Sequence, residues 1–139
     1  MAGIDNPDGL VRADFPGGWA GDKENKFTAS GRTNKENEAF NYVRTLANYR
    51  KNTTALQTGK LMQYIPEKGT YVYFRYDAAK TVMIIYNSED KADTLKTDRF
   101  NERMAGYKTA TNVISNTTLN SIQNIDVPAK TTLVLELKK

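Results

Sequence analysis

Two short runs, residues 70–76 and 81–87, set the terms on which this chain can fold. In the first, Val72, Phe74 and Tyr76 alternate with Tyr71, Tyr73 and Arg75; in the second, Val82, Ile84 and Tyr86 alternate with Met83 and Ile85. Period-two alternation of β-branched and aromatic residues is the signature of strands, and Asp77, Ala78, Ala79 and Lys80 between the runs have the length of a hairpin turn. Both faces are apolar, which suits a strand covered on both sides and not one with a wet face. The pattern predicts a central hairpin, covered by a second sheet on one side and by another element, such as a helix, on the other.

The residues around the hairpin extend the same reading. Residues 60–65 form a short strand stopped by Pro66, and residues 94–97 a weaker one. Residues 98–104 have the length of one or two helical turns, with Asp98 as N-cap and Gly106 just past the end. Short strands are expected at 107–111 and 113–115, the stretch 121–127 is ambiguous, and 131–137 is a strand with Leu133, Leu135 and Leu137 on one face. Many short strands separated by turns predict a mainly β fold, an antiparallel Greek-key β-sandwich.

Before residue 60 the period is different. Thr33-Asn34-Lys35-Glu36 is a capping box, in which Thr accepts from the third backbone N–H while Glu reaches back to the cap amide, so a helix begins here. Phe40, Val43, Leu46 and Ala47 make its apolar stripe, widened by Tyr42 and Tyr49, with Arg44, Asn48 and Lys51 opposite. An exposed stripe is costly, so this one amphipathic helix should dock on the sandwich or on a second copy. Upstream, Pro16-Gly17-Gly18 is wedged between Phe15 and Trp19, the sole tryptophan. Proline fixes φ and glycine permits positive φ, so this segment is an irregular loop.

Composition removes several kinds of chemistry. The 139 residues carry a net charge of +4 and no Cys or His. Thiolate nucleophiles, disulfides and the commonest general base and metal ligand are therefore missing. Charges are interspersed, at nine Lys/Arg against seven Asp/Glu in residues 1–61 and eleven against nine in residues 62–139, which is a solvated surface and not a nucleic-acid footprint. No apolar run approaches a membrane span of about 20 residues, and neither a cofactor motif nor a leader is visible. The turn Asp5-Asn6-Pro7-Asp8-Gly9 fails as an EF-hand, because the third place from Asp5 is Pro7 and the twelfth is Pro16. No metal site is expected.

The order Asp8-Gly9-Leu10-Val11-Arg12, Asp14-Phe15-Pro16-Gly17-Gly18-Trp19, Gly21-Asp22, Asn25, Phe27 and Gly31-Arg32-Thr33 closely resembles the end of the catalytic barrel in cyclomaltodextrinase and neopullulanase-type enzymes, glycoside hydrolases of the α-amylase superfamily. The hairpin, the Asp98-Arg99-Phe100 turn with Glu102, and Val127-Pro128-Ala129-Lys130-Thr131 entering a Leu-rich strand are similar to that family's C-terminal domain. The resemblance implies three segments: residues 1–32, a rim loop from the end of the barrel; 33–58, the last barrel helix and a linker; and 59–139, the C-terminal antiparallel sandwich. A complete barrel needs about 250 residues, so the chain is expected to be the last part of a longer enzyme, one acting on α-1,4-glucans such as cyclodextrins, pullulan and maltooligosaccharides. Its partner would be the N-terminal barrel, and the parent enzyme is expected in the periplasm or outside the cell.

Retaining glycoside hydrolysis uses two carboxyl groups about 5 to 5.5 Å apart. In the family these stand on barrel strands that precede the point where this sequence begins, so none of the sixteen acids here carries over to those roles and the chain alone is expected to be inactive. What the resemblance leaves is a rim: Arg12, Asp14 and Trp19 would face the substrate, Trp19 stacking on a sugar and the charged pair hydrogen-bonding hydroxyls. The structural alternative is that Trp19 and Phe15 pin the loop and Arg12 pairs with Asp14. Tyr71, Tyr73, Tyr76 and Tyr86 offer a sugar-stacking platform on the sheet, or are half-buried packing residues. An oligosaccharide-binding module without catalysis is the competing function.

Overall fold

The structure is a computed structural model and describes residue 12 and residues 14–139. The Asp5 to Gly9 turn and the start of the Asp8 to Arg12 motif lie outside the described residues. The chain divides into two compact units, the first ending at Tyr42 and the second running from Val43 to Lys139.

In the first unit the loop is held by its own polar groups. Gly17 has a φ of 102°, and a Cβ there would lie 2.8 Å from the Asn25 Cα, so glycine is required both for the turn and for the close approach. The Asp22 carboxylate accepts from the backbone N–H of Gly17 at 2.6 Å and of Trp19 at 3.2 Å. Arg32 is the hub: its Nε donates to Asn37 Oδ1 at 2.9 Å, its Nη1 to the Lys26 carbonyl at 3.0 Å, and its guanidinium stands 3.8 Å from the centre of the Phe40 ring. A 3-10 turn, Ala29–Gly31, leads into helix α1, Asn34–Lys51. The capping box forms as the sequence predicts, with Thr33 N–H donating to Glu36 Oε2 at 2.6 Å and Glu36 N–H donating to Thr33 Oγ1 at 3.3 Å. Thr33 and Lys26, which also pairs with Glu36 at 3.0 Å, hold the Glu36 carboxyl below its usual range.

The second unit is the expected mainly β antiparallel sandwich, and it is lopsided. Strands β1 (Lys60–Gln63), β2 (Thr70–Tyr76), β3 (Thr81–Asn87), β5 (Thr109–Asn112), β6 (Thr118–Leu119) and β8 (Thr132–Lys138) make a six-stranded sheet in the order β1-β2-β3-β8-β5-β6. The other sheet contains β4 (Asp93–Lys96) and β7 (Asn124–Val127) alone. The hairpin pairs in register from Thr70 opposite Asn87 to Tyr76 opposite Thr81, and β3 is central, with β2 on one side and β8 on the other.

One face of that hairpin is covered throughout and the other in part. Val72, Phe74, Met83, Ile85, Leu135 and Leu137 build the main core, closed by Ile125 and Val127 of the small sheet and by Phe100 and Met104. On the opposite face Val82, Ile84 and Val134 are covered by Leu46 and Tyr49 of α1 and Leu56 of the one-turn helix α2, Thr54–Gln57. The docking expected of the α1 stripe is therefore made by its C-terminal half only: Phe40, Tyr42 and Val43 stay exposed, and no residue of α1 is fully buried.

Two local expectations are corrected. Residues 113–115 form a turn and not a strand, because Asn112 Oδ1 accepts from the backbone N–H of Ile114 at 2.9 Å and of Ser115 at 3.4 Å, curling the chain. The N-cap before the helical turns is Thr97, with Asp98 already inside the 3-10 turn Asp98–Phe100 that precedes α3, Asn101–Met104. The Thr97 hydroxyl donates instead to the Ile122 carbonyl at 2.7 Å, tying this turn to the segment before β7.

Candidate functional site

The alternation that buries Val72 and Phe74 sends Tyr71 and Tyr73 to the other face of the six-stranded sheet. Tyr71 stands directly opposite Tyr86, and Tyr73 opposite Ile84. The Tyr71 and Tyr73 rings lie 5.5 Å apart between centres, tilted by 31°. Tyr71 Oη donates to Gln63 Oε1 at 2.8 Å, which fixes that ring against β1. Burial, and after it the neighbouring Tyr71, raise the Tyr73 hydroxyl above its usual range. Tyr86 is 46% exposed while Tyr71 and Tyr73 are half-buried. The three rings together make an apolar strip edged by a hydrogen-bonding amide, an arrangement that can lie against the flat side of a sugar.

Tyr76 is not part of that strip. It shares the inner face with Phe74, packs on the main core, and carries the Arg103 guanidinium 4.3 Å from its ring centre. Of the four tyrosines named together, Tyr71, Tyr73 and Tyr86 share one face, and Tyr76 stands on the opposite side of the sheet. In the first unit Arg12, Asp14 and Trp19 are all exposed, Trp19 at 69%. The backbone of Trp19 is fixed by Asp22, while Phe15 meets Phe27 edge-on at 4.8 Å.

At the far end of the tyrosine face is a polar cluster that alternation alone does not announce. Glu136, interior to β8, accepts from Tyr49 Oη at 2.7 Å and from Lys80 Nζ at 2.9 Å, and pairs with Lys138. Burial pushes its carboxyl upward, but the hydrogen bonds from Lys138, Tyr49 and Lys80 outweigh it and hold the group down to about 2. Burial first, and then Glu136, push the Tyr49 hydroxyl up. The cluster fastens α1 to the sheet. Its one signal in the sequence is an acid between leucines at strand spacing. Among the described residues no group of three or more acids is placed to hold a metal ion.

These features define a small antiparallel domain with a helix-covered sheet and an aromatic strip. The chain belongs to the family described as the cyclo-malto-dextrinase C-terminal domain, whose model matches residues 61–136, more than half of the sequence. Solved structures share the fold. An α-amylase from Geobacillus thermoleovorans, complexed with acarbose, is 15% identical with a TM-score of 0.63 over 78% of this chain and 24% of its own. An Anoxybacillus α-amylase is 21% identical with a TM-score of 0.61, over 76% of this chain and 23% of its own. Trehalulose synthase MutB from Pseudomonas mesoacidophila is 18% identical with a TM-score of 0.56, over 68% and 17%. The chain spans about a quarter or less of the length of these proteins.

Proposed function

We propose that this chain is the C-terminal region of a glycoside hydrolase of the α-amylase family, acting on α-1,4-glucans such as cyclodextrins, pullulan and maltooligosaccharides, and that its own role is structural and non-catalytic. The family match over residues 61–136 carries this reading. The exposed Tyr42 and Val43 support it, since apolar surface on an exposed part of a helix is the kind a larger protein covers. Its partner would then be a catalytic barrel, the sandwich covering one end of it and the loop around Trp19 framing the substrate rim. The purified chain should release no reducing sugar from cyclodextrin, pullulan or maltoheptaose. Release that persists through purification and disappears on replacing an acid of this chain would overturn the non-catalytic role. We place the parent enzyme in the periplasm or outside the cell, which fractionation of the source cells with an antibody to this chain would check.

The half-exposed strip of Tyr71, Tyr73 and Tyr86 favours a second reading, an oligosaccharide-binding module. Amide shifts in an NMR titration with maltoheptaose decide it. Saturable shifts centred on those tyrosines would give the domain a binding role as well.

A further inference from the structure

The pairing of β1 with β2 sets Lys60 directly opposite Tyr76, so the two side chains leave the same face of the sheet. Arg103 of α3 lies over the Tyr76 ring, its guanidinium 4.3 Å from the ring centre, and this contact fixes a long side chain that would otherwise sweep through water. Its Nε donates to the Glu102 carbonyl at 3.2 Å, which leaves both Nη groups available. Lys60, Tyr76 and Arg103, together with residues 58–59 and 77–78, line one cleft of about 490 Å³.

The cleft is positive, because its one acid is engaged by the chain around it. Asp77 Oδ1 accepts from the backbone N–H of Ala79 at 2.8 Å and of Lys80 at 2.7 Å, and its Oδ2 accepts from the Thr54 hydroxyl. Thr54 first, and after it Lys80, hold that carboxyl below its usual range. Among the described residues no carboxylate stands within ion-pair distance of Lys60 or Arg103, whereas Arg99, one turn earlier, is answered by Glu67 at 2.9 Å. The Tyr76 hydroxyl likewise has no hydrogen-bond partner among them. A lone surface cation needs no explanation. Here two share one cleft with a hydroxyl, and one of them is already held in place, so an incoming anion is spared the cost of ordering it.

Free donors outnumber free acceptors in this lining, which selects an oxyanion. The planar guanidinium can give two parallel bonds to neighbouring oxygens while the ammonium adds a point charge, a combination that favours a doubly charged phosphate over a carboxylate. We infer that this cleft binds a phosphoryl group, free or as a monoester, held by Arg103 and Lys60 with the Tyr76 hydroxyl donating a further bond. The test is an NMR titration of the whole chain with inorganic phosphate, phenyl phosphate and acetate at one constant ionic strength, repeated on Lys60→Gln and Arg103→Gln. Saturable shifts across residues 58–60 and 76–78 and at Arg103 are expected with both phosphates, at concentrations where acetate gives none, and each variant should weaken binding about fivefold or more. Lys60 is exposed and its charge meets no partner, so Lys60→Gln keeps the fold and the melting temperature while losing affinity. Tighter binding of phenyl phosphate would show that the site takes a carried phosphate, and tighter binding of inorganic phosphate that it takes the free ion; either supports it. No shifts in these residues at millimolar phosphate, equal binding of acetate, or unchanged affinity in both variants would overturn the site.

Discussion

Replacing Phe100 by Ala should destabilise the second unit by about 3 to 5 kcal/mol, the usual loss when a buried aromatic leaves a cavity. Phe100 is 1% exposed, meets Tyr64 edge-on at 4.8 Å and lies 6.1 Å from Phe74 between ring centres. It enters the core from the turn after β4 and so joins the small sheet to the large one. Against a total of about 5 to 15 kcal/mol for a domain, such a loss should lower the melting temperature by more than about 12 °C. Phe15, 57% exposed, is the contrast: its change to Ala should cost less than about 1 kcal/mol. Urea unfolding of both variants reads the difference. A Phe100→Ala loss as small as that of Phe15→Ala would mean that the core does not close where Phe100 places it.

The second large effect is in the Glu136 cluster and shows in the pH dependence. The folded-state value of about 2 lies below the ordinary 4.5, so the unfolded chain takes up the proton first. The resulting stability is fully present above pH 4.5 and is lost as pH falls from there towards 2, by about 2 to 3 kcal/mol. Tyr49 has the opposite sign: its hydroxyl is raised, so its contribution holds below the ordinary value of 10 and is lost as pH rises beyond it. Glu136→Gln should lower stability at neutral pH by about 1 to 3 kcal/mol and flatten the acid limb, while Lys80 and Lys138 turn to water. The measurement is the difference between wild-type and variant unfolding free energies from pH 7 down to pH 3. A difference constant with pH would show that the carboxylate is not the group responsible.

Where local chemistry decides, the sequence was readable to the residue. Strands 70–76 and 81–87 and the Thr33–Glu36 box follow from alternation and from two reciprocal hydrogen bonds between near neighbours. Where a side chain answers to a distant partner, it was not. Thr97 displaces Asp98 as cap while its hydroxyl is engaged by Ile122, twenty-five residues on. Asn112 turns 113–115 away from a strand that their residue types alone would allow. The one-turn helix α2 is too short to show a period, and the single available face of α1 had no sequence mark separating Leu46, which docks, from Val43, which does not. Tyr76 shares the parity of Val72 and Phe74, so alternation itself assigns it to the inner face.

Strand β8 sits between β3 and β5, with Glu136 opposite both Val82 and Thr111. On a chain emerging from the ribosome, the residues of the β1–β3 hairpins and of the β5–β6 pair appear before residues 132–138. Until then the large sheet exists as two pieces, each showing an unpaired apolar edge open to other chains. Closing it bridges the intervening residues 88–131, so the slow step of assembly and the moment of greatest exposure to aggregation fall at the same strand.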